Sequence, residues 1–210
     1  MRTFFLITGV TIVLCSQYSY CQNREKSFSF NFGVNLSHPT FIYLNEESFK
    51  KAIPSCQFAF NKEFYLNKHL SIILSLGLNK NSFNAGRQVG SVYSIKQLDF
   101  SYLSFDAGPL YNIPTNRIGF SGGLSLRVGR LVNENYTDYY TSPSLSSSDI
   151  GLNLRMGAKL LVIPIRPYLL FNYYYGLNKV ANNSVVTGTG QSINDYIRNR
   201  SVGFQVGFYL

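Results

Sequence analysis

The chain has 210 residues, of which 16% are aromatic and only 14% are charged, and its formal net charge is +9. This length suits a single domain, and the charged fraction lies well below the roughly 25% of an average soluble domain. The basic residues are scattered and form no cluster or nucleic-acid motif, which argues against nucleic-acid binding and favours attraction to anionic lipid headgroups. Beyond the N-terminus no apolar run reaches the about 20 residues of a membrane-spanning helix, which leaves alternating β-strands as the way to cross a membrane.

The N-terminal segment 1–21 is predicted to be a secretory signal peptide. Met1 and Arg2 form a short positive region, and an apolar core of suitable length runs from Phe4 to Leu14. Cleavage after Cys21 would leave Gln22 as the first residue of a barrel domain over residues 22–210. A membrane anchor is the alternative, but the apolar core is too short for one.

The cysteines predict neither a disulfide framework nor a metal cluster. Cys15 and Cys21 would leave with the signal peptide, so that Cys56 remains alone. A lipoprotein anchor at Cys15 or Cys21 is the alternative interpretation. However, Leu14 and Tyr20 precede these cysteines where that motif needs a small residue.

Alternation of apolar and polar residues predicts strands along the rest of the chain. In the first, Phe28, Phe30 and Phe32 share one face, and small polar residues share the other. The predicted strands cover 27–37, 56–65, 70–83, 97–111, 118–131, 149–162, 168–178 and 201–210. Each is about as long as a tilted strand needs to be to cross a bilayer.

The connections between these strands alternate in length. Short turns lie around Asn67–His69, Asn112–Asn116 and Pro164–Pro167, and long polar loops cover 38–55, 84–96, 132–148 and 179–197. Short turns on the periplasmic side and long loops outside are typical of outer-membrane barrels. The sequence therefore predicts an all-β fold, an eight-stranded antiparallel up-and-down transmembrane β-barrel in the cell outer membrane.

The fourth predicted strand is irregular. Leu98, Phe100 and Tyr102 have one parity, and Leu103 and Phe105 have the other, which predicts a β-bulge near Tyr102. As a result, one of the strand's two acidic residues, Asp99 or Asp106, is expected to point into the barrel.

The last predicted strand alternates strictly and is expected to seal against the first strand, which closes the barrel. Aromatic residues gather near the short-turn ends of the strands and predict a periplasmic aromatic girdle. The members of this girdle are Phe64, Tyr65, Tyr111, Tyr168, Phe208 and Tyr209.

Three basic residues, Arg127, Arg155 and Lys159, have the strand phase of the barrel lumen. An interior charge without a partner is costly, so we expect them to form ion pairs with a structural role. A set of residues that gives a pore its ion selectivity is the alternative. Because eight strands enclose an interior that side chains just fill, the structural role is favoured.

No other pattern predicts chemistry. His38 and His69 fall at opposite ends of the predicted strands and cannot share a metal ion. A hydrolytic set of Ser37, His38 and Glu46 or Glu47 is conceivable at the outer rim, but no spacing brings these groups together. Gly188-Thr189-Gly190 lacks the lysine and helix of a phosphate-binding loop. We therefore expect no enzyme activity, no cofactor and no metal site.

Three segments carry a resemblance to a known family: the Phe-rich strand ending at Gly33, the segment from Tyr102 to Tyr111, and the Gly-x-Gln-x-Gly-Phe-Tyr strand from Gly203. Together they resemble the PorT-like outer-membrane β-barrel domain proteins of Bacteroidetes. The resemblance implies an outer-membrane barrel of the cell envelope. Many members have no assigned biochemical role, and one branch is associated with protein secretion and gliding.

The last strand also resembles the signal that the barrel-assembly machinery reads. Ser201, Gly203, Val206 and Phe208 have the spacing of this signal, although Tyr209 and Leu210 extend beyond it. The resemblance implies that the assembly machinery is a partner of the chain.

These patterns predict a non-enzymatic barrel that acts through its long extracellular loops, in surface interaction or in envelope structure. Its expected partners are outer-membrane lipids and an extracellular or envelope protein of unknown identity. Candidate contact residues in the loops are Tyr136, Tyr139, Tyr140 and Tyr196. The alternatives are a small pore or solute or lipid carrier, and a soluble periplasmic barrel that binds lipid with its apolar faces turned inward.

Overall fold

The computed structural model describes residues 28–38, 40–42, 48–89, 92–136, 144–186 and 192–210. Eight long strands close into an antiparallel barrel in the order β1-β12-β9-β8-β6-β5-β4-β3. Their bounds are β1 Phe28–Ser37, β3 Ser48–Tyr65, β4 Leu70–Val89, β5 Val92–Pro114, β6 Ile118–Tyr136, β8 Ser148–Leu160, β9 Pro167–Gly176 and β12 Arg200–Tyr209. The short strands are β2 Thr40–Ile42, β7 Ser144–Leu145, β10 Ala181–Val186 and β11 Ser192–Arg198.

Strands β1 and β12 close the barrel. They pair without interruption from Ser29 opposite Tyr209 to Ser37 opposite Ser201. The closure predicted from the last strand is confirmed, and it leaves neither strand with a free edge over this length.

The side chains alternate between a lipid-type outer face and a polar interior. Phe204 on β12 is 61% exposed, and Leu126 on β6 is 49% exposed. In the same strands, Gln205 and Ser125 are buried inside the barrel. Apolar side chains therefore point outward, as in a barrel that is surrounded by lipid. The alternative of a soluble barrel with inward apolar faces is wrong for this reason.

The described part of the chain contains no helix that is long and apolar enough to cross a membrane.

The strands are longer than predicted at the end that carries the long connections, called here the long-loop end. Predicted loop 84–96 is a hairpin, in which β4 and β5 pair as far as Val89 opposite Val92. Strand β3 already starts at Ser48, and β6 continues to Tyr136. The predicted loop bounds 38–55, 84–96 and 132–148 are therefore wrong. Strands beyond the lipid need no apolar face, so the hydrophobic pattern does not reveal them.

A second, four-stranded sheet forms at the long-loop end from parts of three predicted loops. Its order is β2-β11-β10-β7. Val180 precedes this sheet's β10, and Ile197 lies in β11. Both pack against β4 and β5 in a buried cluster of Phe83, Leu98, Phe100, Tyr102, Val180 and Ile197. This set, called here the mouth cluster, fills the space between the small sheet and the barrel strands.

The irregularity near Tyr102 is a bulge, but not in the predicted strand. Ser101 faces Asn133, whereas Tyr102 faces Leu131, so the extra residue is Val132 of β6. Strand β5 keeps its alternation, with Tyr102 and Asp106 both buried inside. The apolar parity switches because Leu98 and Phe100 join the mouth cluster instead of facing lipid.

The predicted aromatic girdle is wrong for three of its tyrosines, because Tyr65 of β3, Tyr168 of β9 and Tyr209 of β12 turn into the lumen. Tyr168 and Tyr209 are buried inside the barrel, and their ring centroids lie 5.1 Å apart. Tyr111 and Phe208, in contrast, are exposed on the outer face. A tyrosine can turn inward at a strand end because its hydroxyl finds polar partners there.

Candidate functional site

The centre of the lumen contains an ion cluster from three neighbouring strands. Asp106 of β5 lies opposite Arg127 of β6 in the strand register. The Asp106 carboxylate accepts hydrogen bonds from Arg127 Nε at 2.7 Å and Nη2 at 2.9 Å. It also accepts bonds from Arg155 Nη2 and, at 3.1 Å, from Asn153 Nδ2. We call these four residues the central cluster.

The charged side chains of the central cluster are buried and therefore need one another as partners. Asp106 is 2% exposed and Arg127 is 8% exposed. A charge in such a place needs partners that satisfy its hydrogen bonds, and a two-pronged arginine–carboxylate pair does this well. The acidic partner of the lumen arginines is therefore Asp106. Asp99, the other candidate, pairs instead with Lys80 on the outer face, with Nζ and Oδ2 2.9 Å apart.

Lys159 does not join the central cluster. Its Nζ lies 3.4 Å from the Tyr65 hydroxyl and 5.1 Å from the ring centroid of Tyr209. The same two tyrosines donate to Glu63, which is buried and also accepts a bond from Ser71 Oγ at 3.1 Å. These five residues, called here the floor cluster, fill the lumen at the end with the short turns.

A third buried acid, Asp149, lies towards the long-loop end. It accepts hydrogen bonds from the Tyr174 hydroxyl at 2.7 Å and from Asn199 Nδ2 at 2.8 Å. The Arg127 guanidinium carbon lies 4.9 Å from the Tyr174 ring centroid, which links this group to the central cluster.

The sequence reasoning missed Glu63 and Asp149, although their strand phase was visible. Glu63 shares the inward parity of Gln57 and Asn61, and Asp149 shares that of Asn153. Within the described interior, Glu63, Asp106 and Asp149 balance Arg127, Arg155 and Lys159. The formal charges of these six interior residues therefore cancel.

The cavity beside the central cluster is small. It has a volume of about 10 Å³ and is lined by residues that include Asn31, Asn79 and Gln205. This volume holds about one water molecule. Asn31 and Gln205 also hydrogen-bond across the β1–β12 seam, which fills the lumen further.

The predicted assembly-signal residues lie on β12 with alternating orientation. Ser201 and Gly203 are buried inside, whereas Val206 and Phe208 are exposed outside. A Cβ at Gly203 would displace the side-chain amides of Gln57 and Asn172 inside the barrel.

Two members of the conceivable hydrolytic set, Ser37 and His38, are described, and they lie in different surroundings. Ser37 is buried and donates to Asn81 Oδ1 at 3.0 Å, whereas His38 is exposed. His69 lies at the opposite end, with Nδ1 3.1 Å from the Asn112 carbonyl oxygen. Among the side chains that the structure describes, no three histidine, cysteine, aspartate or glutamate residues are arranged to hold a metal ion.

Several predicted features fall outside the described residues. They are the signal peptide 1–21, Gly188–Gly190, Glu46, Glu47, Tyr139 and Tyr140. For Tyr136 and Tyr196 the structure describes the strand but not the side chain.

A closed eight-stranded barrel with an apolar outer face, a polar interior and short turns at one end defines the class of outer-membrane β-barrels. The protein is a member of this class and is placed in the outer membrane.

Comparison with solved structures agrees with this fold. The outer membrane protein OprG from Pseudomonas aeruginosa has a TM-score of 0.58 and 11% identity, covering 87% of this chain and 95% of that one. Ail of Yersinia pestis has a TM-score of 0.41 and 13% identity, with coverages of 88% and 99%. Outer Membrane Protein W of E. coli has a TM-score of 0.39 and 11% identity, with coverages of 90% and 100%. No protein-family model matches the chain, and no curated protein matches it in sequence.

Proposed function

We propose that this protein is a non-enzymatic barrel whose activity lies at its long-loop end, in surface interaction or in the structure of the cell envelope. The observation that carries this proposal is a sheet that rises beyond the barrel. It consists of the ends of β3, β4, β5 and β6, and we call it the wall. In its central hairpin, β4 and β5 pair from Lys80 opposite Ser101 to Val89 opposite Val92. Ten residues of strand correspond to roughly 30 Å.

Both sides of the wall have open edges within the described residues. Strand β1 pairs with β3 only as far as Pro54, so the segment from Ser48 to Ile53 has one neighbour, β4. Strand β8 pairs with β6 only as far as Arg130, so the segment from Val132 to Tyr136 has one neighbour, β5. Unpaired backbone groups of this kind can accept a strand from another protein.

The outward orientation of the wall follows from its strand connections. Short turns lie on the periplasmic side of outer-membrane barrels, and longer connections lie outside. In intact cells, we expect a biotinylating reagent to label the variant Ser94→Cys, whose cysteine lies in the wall. The variant Asn116→Cys, whose cysteine lies in a short turn, should stay unlabelled. The reverse pattern would contradict this orientation. The native Cys56 is changed to serine in both variants.

A shortened wall tests the interaction role. Asn84 and Gln97 face each other in the β4–β5 register, so an Asn-Gly turn can replace residues 85–96 and join them. The matched control changes only Gly90 and Ser91 to Asn-Gly and keeps the full wall. Both barrels carry a proximity-labelling enzyme inserted within residues 43–47. We expect the control to label a set of envelope proteins that the shortened barrel does not label.

The result is interpreted only for barrels that migrate in the folded position before heating and in the unfolded position after heating. Identical labelling by both variants would refute the role of the wall.

A small pore or solute or lipid carrier is the alternative function. The filled lumen, with a cavity of about 10 Å³, favours the closed barrel. Planar bilayers containing the purified barrel are therefore expected to show no steady conductance. Steady, ion-selective openings would favour the pore.

We also propose membership in the PorT-like proteins of Bacteroidetes, which the motifs around Gly33 and Gly203 support. These two glycines lie on the paired seam strands, where Gly33 faces Gln205 and Gly203 faces Asn35. A solved PorT-like barrel should then show the same glycine positions in its first and last strands. A different seam register there would contradict the assignment.

A further inference from the structure

We propose that Arg198 and Arg200, at the long-loop edge of the outer face, bind the phosphate of an anionic lipid headgroup. This site is separate from the wall and does not depend on the proposed interaction role. It accounts for two of the basic residues behind the net positive charge of the chain.

The position of Arg200 relative to the bilayer follows from the outward residues of β12. On the outer face of β12, Arg200 is followed by Val202, Phe204, Val206 and Phe208. On the neighbouring β9, Tyr173 faces Val202, and Phe171 faces Phe204. Phe171 and Phe204 contact each other edge to face, with their centroids 5.2 Å apart. The apolar band thus continues up to Val202, and Arg200 is the first outward residue beyond it, where lipid headgroups lie.

Arg200 is held in place by its neighbour across the strands. It faces Tyr175 in the register of β12 and β9, and its guanidinium carbon lies 4.5 Å from the centroid of that ring. Arg198 also lies beside the Tyr175 side chain. Two guanidinium groups therefore converge on one tyrosine at the edge of the apolar band. A planar guanidinium stacked on a ring keeps its outer N–H groups available for a phosphate oxygen.

Both guanidinium groups hydrogen-bond the Tyr175 side chain. Their Nε atoms are buried and have no hydrogen-bond partner among the described residues, so a lipid phosphate would contact the terminal guanidinium nitrogens. Among the side chains that the structure describes, no carboxylate forms an ion pair with either guanidinium. His38 lies alongside, because its backbone N–H donates to the Arg200 carbonyl oxygen at 2.7 Å.

The wall side of the barrel provides a contrast. Lys80 also points outward near the long-loop end, but its Nζ is 2.9 Å from the Asp99 carboxylate. Its charge is therefore neutralised within the protein, whereas no described side chain neutralises the charges of Arg198 and Arg200. A headgroup that carries a net negative charge complements these arginines better than a zwitterionic one.

Lipid binding to the purified full barrel in detergent tests this site. The probe is short-chain phosphatidylglycerol, and short-chain phosphatidylcholine of the same length is the reference. We expect the barrel to prefer phosphatidylglycerol. The double variant Arg198→Gln and Arg200→Gln should lose roughly 30-fold in affinity for it, or about fivefold for each arginine. The control Lys80→Gln should bind like the wild type.

Two further measurements keep the test independent of how well the glutamine variant folds. The double variant Arg198→Lys and Arg200→Lys preserves the charge, so it should bind between the wild type and the glutamine variant. In the wild type, affinity for phosphatidylglycerol should fall when salt is raised from 0.05 to 0.5 M, because the attraction is electrostatic. Inorganic phosphate at tenfold excess should not displace the lipid.

Three results would overturn the proposal. They are equal affinity for the two lipids, an affinity that does not change with salt, and equal loss in the Lys80→Gln control and the arginine variant. Displacement by inorganic phosphate would assign the arginines to free phosphate and would overturn the choice of lipid.

Discussion

Asp106 is the carboxylate on which the central cluster depends. The change Asp106→Asn keeps the shape of the side chain and removes its charge. It leaves Arg127 and Arg155 buried beside a neutral amide, although the wild-type carboxylate accepts bonds from both guanidinium groups. A guanidinium has no neutral form at ordinary pH, so neither arginine can escape the cost by losing a proton.

The expected loss of stability is large. Breaking a buried ion pair by removing one partner costs about 3–5 kcal/mol, because the other charge stays buried without compensation. Asp106 is 2% exposed and is bonded to two arginines, so we expect a value towards the upper part of this range.

Folding in lipid vesicles under a urea gradient measures this loss. Because the chain has no tryptophan, circular dichroism and heat-modifiable gel migration follow the folded fraction. The matched control is Asp99→Asn, which breaks the outer pair with Lys80, whose side chain is 44% exposed against 13% for that of Asp99. An exposed pair contributes about 0–1 kcal/mol, so this variant should remain close to the wild type.

A difference of less than about 1 kcal/mol between the two variants would refute the structural role of the central cluster. A variant with Asp106→Leu, Arg127→Met and Arg155→Met provides a second check. It removes the two arginines together with their shared carboxylate and should be more stable than Asp106→Asn alone, because neither guanidinium is left buried without its carboxylate.

Three other outcomes are expected. Phe208→Asp, or deletion of the last ten residues, should abolish membrane assembly, and a heat-modifiable barrel from either variant would contradict the closing and signalling role of β12. Gly33→Val should prevent closure of the barrel, because a Cβ there would overlap the Phe204 carbonyl oxygen. Gly122→Ala should be tolerated, because the atom nearest to its Cβ would be 3.9 Å away. Equal folding yields of the two variants would count against this account. Mass spectrometry of the exported protein should find Gln22 at its N-terminus, and a retained segment 1–21 would contradict the predicted signal peptide.

Period-two alternation was enough to predict the strands that face lipid, because each such strand must carry an apolar face. Phe204 and Leu126 are examples of residues whose outward orientation could be read directly. The same logic placed Arg127 and Arg155 inside. It failed above the lipid, where β4 and β5 continue as a hairpin to Val89 and Val92 without an outward apolar face.

The alternation along a strand also assigns each side chain to a face, but it does not reveal what that face contacts. Leu98 and Phe100 have the parity of the interior, and their apolar character suggested a change of phase in β5. In the structure they pack in the mouth cluster with Ile197, which lies about a hundred residues later in the chain. Tyr209 was expected near the headgroups, but it donates to Glu63 across the lumen.

The sequence by itself determined the number of barrel strands, the positions of the short turns and the inward orientation of the basic residues. These features depend on local alternation and on the need to bury or solvate each side chain. The tertiary structure alone decided which acid neutralises the arginines, where the bulge lies and how far the wall extends. These features depend on which strands become neighbours and in what register, and a pairing between distant segments leaves no periodic signal in either one.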